Sequence, residues 1–382
     1  MTREKDAPFD PPRQHSFLPP IARISLGEAS PQAWLVRRWE DARTVLAHTA
    51  ASTDLTRPGY PARSPAVLPR GFFLFQDDPV HDVFRKVLAR EFVVRKIEAL
   101  REPTTRVLDG LLRQMVEEGE PADFVESVAL PLPSLVISEL LGVPYDDHEF
   151  FQEHSRVLID SVYIGEQKAA AQRALGDYLE ALVVERRVRP RDDLISRLGQ
   201  HVDAGTFTVR DAADVGSFLL FAGHETTANM IGLGVLALLE NPEQIPVLHG
   251  NPAAAVEELL RYLTIAQSGV SRVVTEDVVL GDVTIRAGEG VIVMLNSANR
   301  DEAVFPGGGE LDLARPNARQ HLAFGYGVHQ CLGKPLARME LQVVLPEVLR
   351  RLPGLRIADG QQVVYKHTAS AYGPARMPVA WL

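Results

Sequence analysis

The sequence predicts a mainly helical chain with a smaller β region, an α+β fold. Three observations predict it. Amphipathic and apolar stretches dominate from Pro79 to Leu263, short β-branched runs replace them after Thr275, and helical spacing returns at Leu336. With 382 residues, 46% hydrophobic and 24% charged, length alone suggests about two or three domains as a soft prior, and the chain can bury a core able to enclose a bulky group.

In chain order, Met1 to Pro20 is rich in proline and charge and is expected to be an irregular arm. Ala22 to Leu26 and Ala33 to Val36 read as strands, and Trp39 to His48 as a helix. Ser52 to Arg70 carries Pro58, Gly59, Pro61, Pro65 and Pro69, which predicts a long loop. Phe124 to Leu141 has core-facing helical spacing interrupted by Pro131 and Pro133, and Phe150 to Arg187 holds further amphipathic segments. Thr208 with Asp211 three residues on is a helix start. No proline follows until Asn241-Pro242 opens the next helix, so one buried helix of over thirty residues is expected. Asn251-Pro252 starts another. Val278–Leu280, Val283–Ile285 and Val291–Met294 read as strands, Leu336–Leu352 as a helix, and Val363–Leu382 as strands again.

Forty Lys and Arg against 50 Asp and Glu give a formal net charge of -10, which argues against general nucleic-acid binding. The N-terminus has no apolar signal core, and no run of about 18 uncharged apolar residues predicts a membrane span. A cytoplasmic monomer is expected. The single cysteine, Cys331, excludes an internal disulfide and a multi-cysteine zinc site.

Phe324 to Gly333 reads Phe-Gly-Tyr-Gly-Val-His-Gln-Cys-Leu-Gly. Its glycines let the backbone approach a flat object closely. A helix beginning near Leu332 would aim N–H groups and a positive dipole end at the sulfur, favouring the thiolate. The ordinary reading is a buried cysteine beside a glycine-rich turn. Ala222-Gly223-His224-Glu225-Thr226-Thr227 lies midway along the apolar helix, where an acid is costly unless partnered or used. The plainer alternative has the threonines bonding back to carbonyls a turn earlier. Ala228 stands where a zinc protease needs its second histidine. Glu258 and Arg261 share a helix face, as an ordinary surface pair would, at about 0.2–0.5 kcal/mol. His81 and Arg85, four apart, also share one, and such pairs are usually solvated.

The Phe324–Gly333 segment resembles the heme-ligand signature of the cytochrome P450 family, Phe-Gly-x-Gly-x-His/Arg-x-Cys-x-Gly, with every fixed position present. The resemblance spans nearly the whole chain, implies a single domain over 1–382, and is nearest to actinobacterial-type members. It implies the family's fold, with the long helix over heme b (iron protoporphyrin IX), and an electron-dependent monooxygenase that hydroxylates or epoxidises a hydrophobic macrolide, polyketide, terpenoid or drug-like molecule. By resemblance Cys331 is the metal ligand. Phe324, Gly325, Gly333 and Ala222 contact the cofactor, and His81, Arg85, Arg272 and His329 answer its propionates. Ala222–Thr227 opens a local widening for dioxygen, with Glu225 and Thr226 on the proton path. Glu258 and Arg261 join Arg315 in a structural group behind Cys331.

Nothing in the chain resembles a flavin or nicotinamide domain, so electrons are expected from a ferredoxin and ferredoxin reductase, docking on Lys86, Arg90, Arg95, Lys96, Lys334 and Arg338. The expected substrate wall runs over Phe72 to Phe75, Phe218, Phe221, Ala222, Ser268 to Val270 and Ala369 to Tyr372, largely apolar. A heme-thiolate sensor without turnover is the alternative, and Glu225-Thr226 argues against it. Two departures from the family's wording are Asp77-Asp78-Pro79-Val80 before His81, and Gly307-Gly308-Gly309 before the cysteine loop, where a change of local rigidity is the expected effect.

Overall fold

The computed structural model describes the chain except residues 1–2, 5–6, 16, 28–31, 62–67, 148, 151–152, 155–156, 158–164 and 368. Parts of the expected arm, of the Ser52–Arg70 loop and of the Phe150–Arg187 segment therefore lie outside the described residues. The fold is organised around one helix, Val209–Glu240. A capping box starts it: the Thr208 hydroxyl accepts from Asp211 N at 3.0 Å, and the Asp211 carboxylate accepts from Thr208 N at 2.9 Å. Helices Pro131–Leu141, Glu166–Val188, Leu194–Asp203 and Lys334–Arg351 pack around it. A side chain at Gly232 would put its Cβ 2.5 Å from Pro374, so glycine lets the C-terminal strands lie on the helix.

Burial follows the expected pattern along this helix, with one break. Its residues are buried almost throughout, yet Phe221, Ala222, Gly223, Glu225 and Thr226 keep accessible surface. An apolar helix that opens only at its middle adjoins free space there.

Five strands form the main sheet, in the order Ile21–Ser25, Gln32–Val36, Gly290–Val293, Val270–Val274, Ala51–Ser52. Gln32–Val36 and Gly290–Val293 run parallel; the other pairings are antiparallel. The β region thus begins at Val270, before the expected Thr275. Arg272 breaks the apolar run in sequence but is itself buried in the strand. The break expected at Pro131 falls between two helical segments, and Pro133 sits in the first turn of the second. A π turn at Val125–Ala129 precedes both prolines, and Pro131 opens the helix Pro131–Leu141, where its missing N–H costs nothing.

The described part of the arm carries one short helical turn, Arg13–His15, and is docked on the body. Arg3 is buried and donates to the carbonyls of Leu263 and Thr264, 2.7 Å each, and its guanidinium lies over the Tyr372 ring. Among the described residues no helix is long and apolar enough to cross a membrane.

Candidate active site

The cysteine loop is closed by its own backbone. Cys331 N donates to Phe324 O at 2.9 Å, Gly325 N to Leu322 O at 2.8 Å and Gln330 N to Gly327 O at 3.1 Å. Gly327 has φ +75°, and a Cβ there would stand 2.3 Å from Leu46 O, so the loop sits flush on the helix Trp39–Ala47 only with glycine. The following helix starts at Lys334, two residues later than expected, and the sulfur accepts from the N–H groups of Gly333 and Lys334.

The expectation that this setting favours the thiolate is corrected. Burial pushes the Cys331 thiol up, and the two N–H groups with the charges of Arg85 and Lys334 only partly offset it. A bound metal cation would supply what is missing, since a coordinating thiol is deprotonated by the metal.

Beside the sulfur four distant residues meet. The rings of His81, on helix Val80–Ala89, and His329 have centroids 4.0 Å apart. Arg272 approaches His329 from its strand, and Arg85 stands near both His329 and Cys331. Burial pushes all four toward their neutral forms, and His329, also repelled by His81 and Arg272, is pushed down to about 3. His329 Nδ1 is buried without a partner, and Arg85 has no hydrogen-bond or ion-pair partner among the described residues. Among the described residues Arg272 donates only to Ser271 O, at 2.7 Å. The cluster is built to receive an anion.

On the central helix the widening expected at Ala222–Thr227 is not there. The helix is α-helical throughout, and Thr226 Oγ1 donates to Ala222 O at 2.7 Å, the back-bond of the plainer alternative. Glu225 points away from Thr226 into a cleft of about 2180 Å³ lined also by Phe221, His224, Lys366, Ala369 and Ser370. There it pairs with Lys366, Nζ to Oε1 3.2 Å. Lys366 was not foreseen; one lysine in a strand-rich tail carries no sequence signal for such a partner. His224 Nε2 faces Leu130 O at 2.9 Å, and burial lowers its pKa to about 4, so the ring is neutral.

Glu258 and Arg261 are not a surface pair. Both are fully buried, and Arg261 donates twice to Glu258 at 2.7 Å and to Asn299 O and Gly308 O at 2.8 Å. Arg315 Nε donates to Glu258 Oε1 at 3.1 Å and its fork to Pro306 O and Gly307 O. The Gly307–Gly309 run therefore wraps three guanidinium groups, those of Arg261, Arg300 and Arg315, and a Cβ at Gly308 would come within 2.8 Å of Phe305 O.

Of the expected substrate wall, Phe72 meets Phe218 with ring centroids 5.3 Å apart, and Phe75 and Ala222 pack on the same core. Val270 borders the core under the sheet and Ser268 is exposed. Phe221, 48% exposed, and Ala369 line the cleft beside Glu225. Of the expected docking cations, Arg338 is committed to buried Glu257, Lys96 to Glu91 and Lys86 to Asp82. Lys334 bonds Gln330, while Arg90 and Arg95 are exposed without a partner among the described residues.

Residues 253–362 match the family model described as Cytochrome P450. The chain is 47% identical to Cytochrome P450-SU2 of Streptomyces griseolus over all of its own length and 96% of that protein. The chain belongs to the cytochrome P450 family. Solved P450 structures share its fold: GfsF at TM-score 0.92 and 43% identity, covering 100% of this chain and 99% of that one, and CYP105P1 in complex with filipin I at 0.89 and 38%, covering 100% and 98%. As a P450 it is an oxygen-incorporating oxidoreductase, and the family implies a heme. The residues present fit that group. Among the described residues no cluster of three His, Cys, Asp or Glu side chains could hold a bare metal ion. Cys331 offers one ligand, and Arg85 and Arg272, which pair with no carboxylate among the described residues, suit a group bearing carboxylates.

Proposed function

We propose that Cys331 binds the iron of heme b through its sulfur, that His81, Arg85, Arg272 and His329 hold the propionates, and that the P450 inserts oxygen into a hydrophobic small molecule by hydroxylation or epoxidation. When bound, the heme supplies the redox centre at which dioxygen is activated with two electrons. The chain's own residues do the rest. Gly333 and Lys334 N–H groups hold the sulfur, the four cationic or imidazole groups fix the carboxylates, and Phe72 with Phe218 offers an apolar wall to the substrate. Glu225, at the open cleft, is the acid that takes up protons, and Thr226 passes them inward.

The observation that carries this reading is a cluster whose Arg85 and Arg272 pair with no carboxylate among the described residues, next to a half-buried, N–H-bonded cysteine. The electron donor is proposed to be a ferredoxin served by its reductase, meeting the face that presents Arg90, Arg95 and Lys334. The test is the reduced, carbon monoxide-treated protein, expected to show the long-wavelength Soret band of a thiolate-ligated heme. Cys331→Ala and Cys331→His are expected to abolish it. A folded, heme-loaded wild type without the band would refute the reading.

A further inference from the structure

The cleft on the outer side of the central helix holds an arrangement that neither the sequence motif nor the fold requires. Lys366, just beyond strand Val364–Tyr365, reaches back to the helix and places its ammonium 3.2 Å from Glu225 Oε1 and 3.0 Å from Asn229 Oδ1. Asn229 lies one turn further along the helix, is buried, and donates through Nδ2 to Ala371 O at 3.1 Å. Gly373 makes this approach possible: a Cβ there would stand 2.5 Å from Asn229. Among the described residues Lys366 is the one cation within ion-pair reach of Glu225.

The pair is not a mobile surface contact. Glu225 is 17% and Lys366 18% exposed, and the lysine is held by a second acceptor that is itself tied to the backbone. Such pinning removes much of the entropy that makes exposed pairs weak. The pair also settles a choice for the acid. Thr226 has turned its hydroxyl to Ala222 O, and neutral His224 spends Nε2 on Leu130 O, so neither holds the carboxylate. Without Lys366 the carboxylate would be free to turn in the cleft.

We propose that Lys366 is a positioning residue that holds Glu225 at the cleft, where protons enter, and that Asn229 ties this point to the segment Ala369–Ala371. The proposal rests on the reading of Glu225 as the proton-delivering acid. Held between Lys366 and the helix, Glu225 presents its carboxylate to the cleft in one orientation. Each proton is thus taken up at one defined place.

The experiment uses the full-length, heme-loaded enzyme with a ferredoxin system and a compound that shifts its heme spectrum. The variants are K366M, K366Q, K366R, E225Q and the double variant E225Q/K366M. The carbon monoxide band and melting temperature certify folding, and K366Q stands in if K366M does not fold. K366M is expected to raise the share of electrons lost as hydrogen peroxide about three-fold or more and to enlarge the solvent deuterium isotope effect on product formation. K366R is expected to restore both, and K366M is expected to add nothing on top of E225Q. Independently of turnover, carbodiimide-driven amine coupling at Glu225, read by peptide mass spectrometry, is expected to rise in K366M and return in K366R. If E225Q raises peroxide but K366M leaves it unchanged or lowers it, or if the two effects add in full, the role of Lys366 is overturned while that of Glu225 stands. If E225Q itself has no effect, both fall.

Discussion

Arg338 turns inward and clamps the buried carboxylate of Glu257 with two hydrogen bonds, 2.6 and 2.8 Å long, while His321 approaches the same carboxylate at 3.2 Å. Burial alone would raise the Glu257 pKa, but these partners win and hold it down at about 2. A carboxyl depressed in the folded state contributes stability that is fully present above its unfolded value, near 4.5, and is lost as pH falls toward 2. Arg338→Gln is therefore expected to cost about 1–3 kcal/mol at pH 7. Its deficit against wild type should shrink as pH is lowered from about 4.5. Urea unfolding at pH 7 and pH 3.5 measures both, and a pH-independent deficit would refute the assignment.

The same geometry separates docking cations from structural ones. Arg90 and Arg95 are exposed and have no partner among the described residues, so their charge is available to an acidic donor. Reversing both to Glu is expected to slow reduction by ferredoxin several-fold at low salt and to flatten its salt dependence, with the melting temperature unchanged. Stopped-flow reduction over a range of ionic strength decides this; an unchanged rate removes them from the docking face.

Around Cys331 the expected loss is of heme rather than of fold. Among the described residues Arg272 and His329 hold no carboxylate, so replacing Arg272 by Leu or His329 by Phe chiefly removes groups that remain for the bound group. A charge-assisted hydrogen bond of about 1.5–3 kcal/mol corresponds to roughly 10–100-fold faster heme loss for Arg272→Leu. Heme transfer to an apoglobin scavenger reads this directly. Transfer at the wild-type rate would show that Arg272 does not hold the group.

What could be read from sequence depended on how far apart the contributing residues lie. The cysteine loop is one contiguous segment, and the Thr208–Asp211 box and the long apolar helix behind it are local patterns, so all three were legible. The meeting of His81 and Arg85 with Arg272 and His329 was reached only through the family resemblance, because their contact is made by tertiary folding. The strand Val270–Val274 was hidden by Arg272, which is polar in the alphabet yet buried in the structure. Lys366 was out of reach for the same reason in reverse: a lysine in the tail reads as solvated until Glu225 and Asn229 stand across from it. The threonine back-bond is local chemistry that the sequence already offers, and with it in place the helix stays continuous where the resemblance implies a widening.

The buried triad predicts a sharp asymmetry between charge and shape. Arg261 uses its fork on Glu258 and on three backbone carbonyls at once, those of Asn299, Gly308 and Glu310. Lysine keeps the charge but cannot reach this many acceptors. Arg261→Lys is expected to cost at least about 3 kcal/mol and to yield protein that does not retain heme. Arg315→Lys, whose residue reaches the surface, should cost less. Expression yield and unfolding midpoints rank the two, and equal losses would refute the ranking.

Thr226 and Thr227 offer the most direct test of oxygen-side chemistry, because they are adjacent and differently placed. Thr226 keeps accessible surface at the opening in the central helix and spends its hydroxyl proton on Ala222 O at 2.7 Å; Thr227 is buried. A hydroxyl donating to a carbonyl still has oxygen lone pairs free to accept from water. Thr226 can thus hold a water at the opening without breaking its own bond, and that water can take protons brought by Glu225. Removing the hydroxyl leaves the helix with a free Ala222 carbonyl lone pair, a small change for a fold held by the surrounding core. Thr226→Ala is therefore expected to bind heme and accept electrons like wild type, yet to release several-fold more hydrogen peroxide per product formed. Thr226→Ser keeps the oxygen and should behave like wild type. Thr227→Ala should raise peroxide less, since its side chain points about 100° further round the helix. Measuring peroxide against product with a verified substrate decides it: equal ratios in wild type and Thr226→Ala would mean that protons arrive without this hydroxyl.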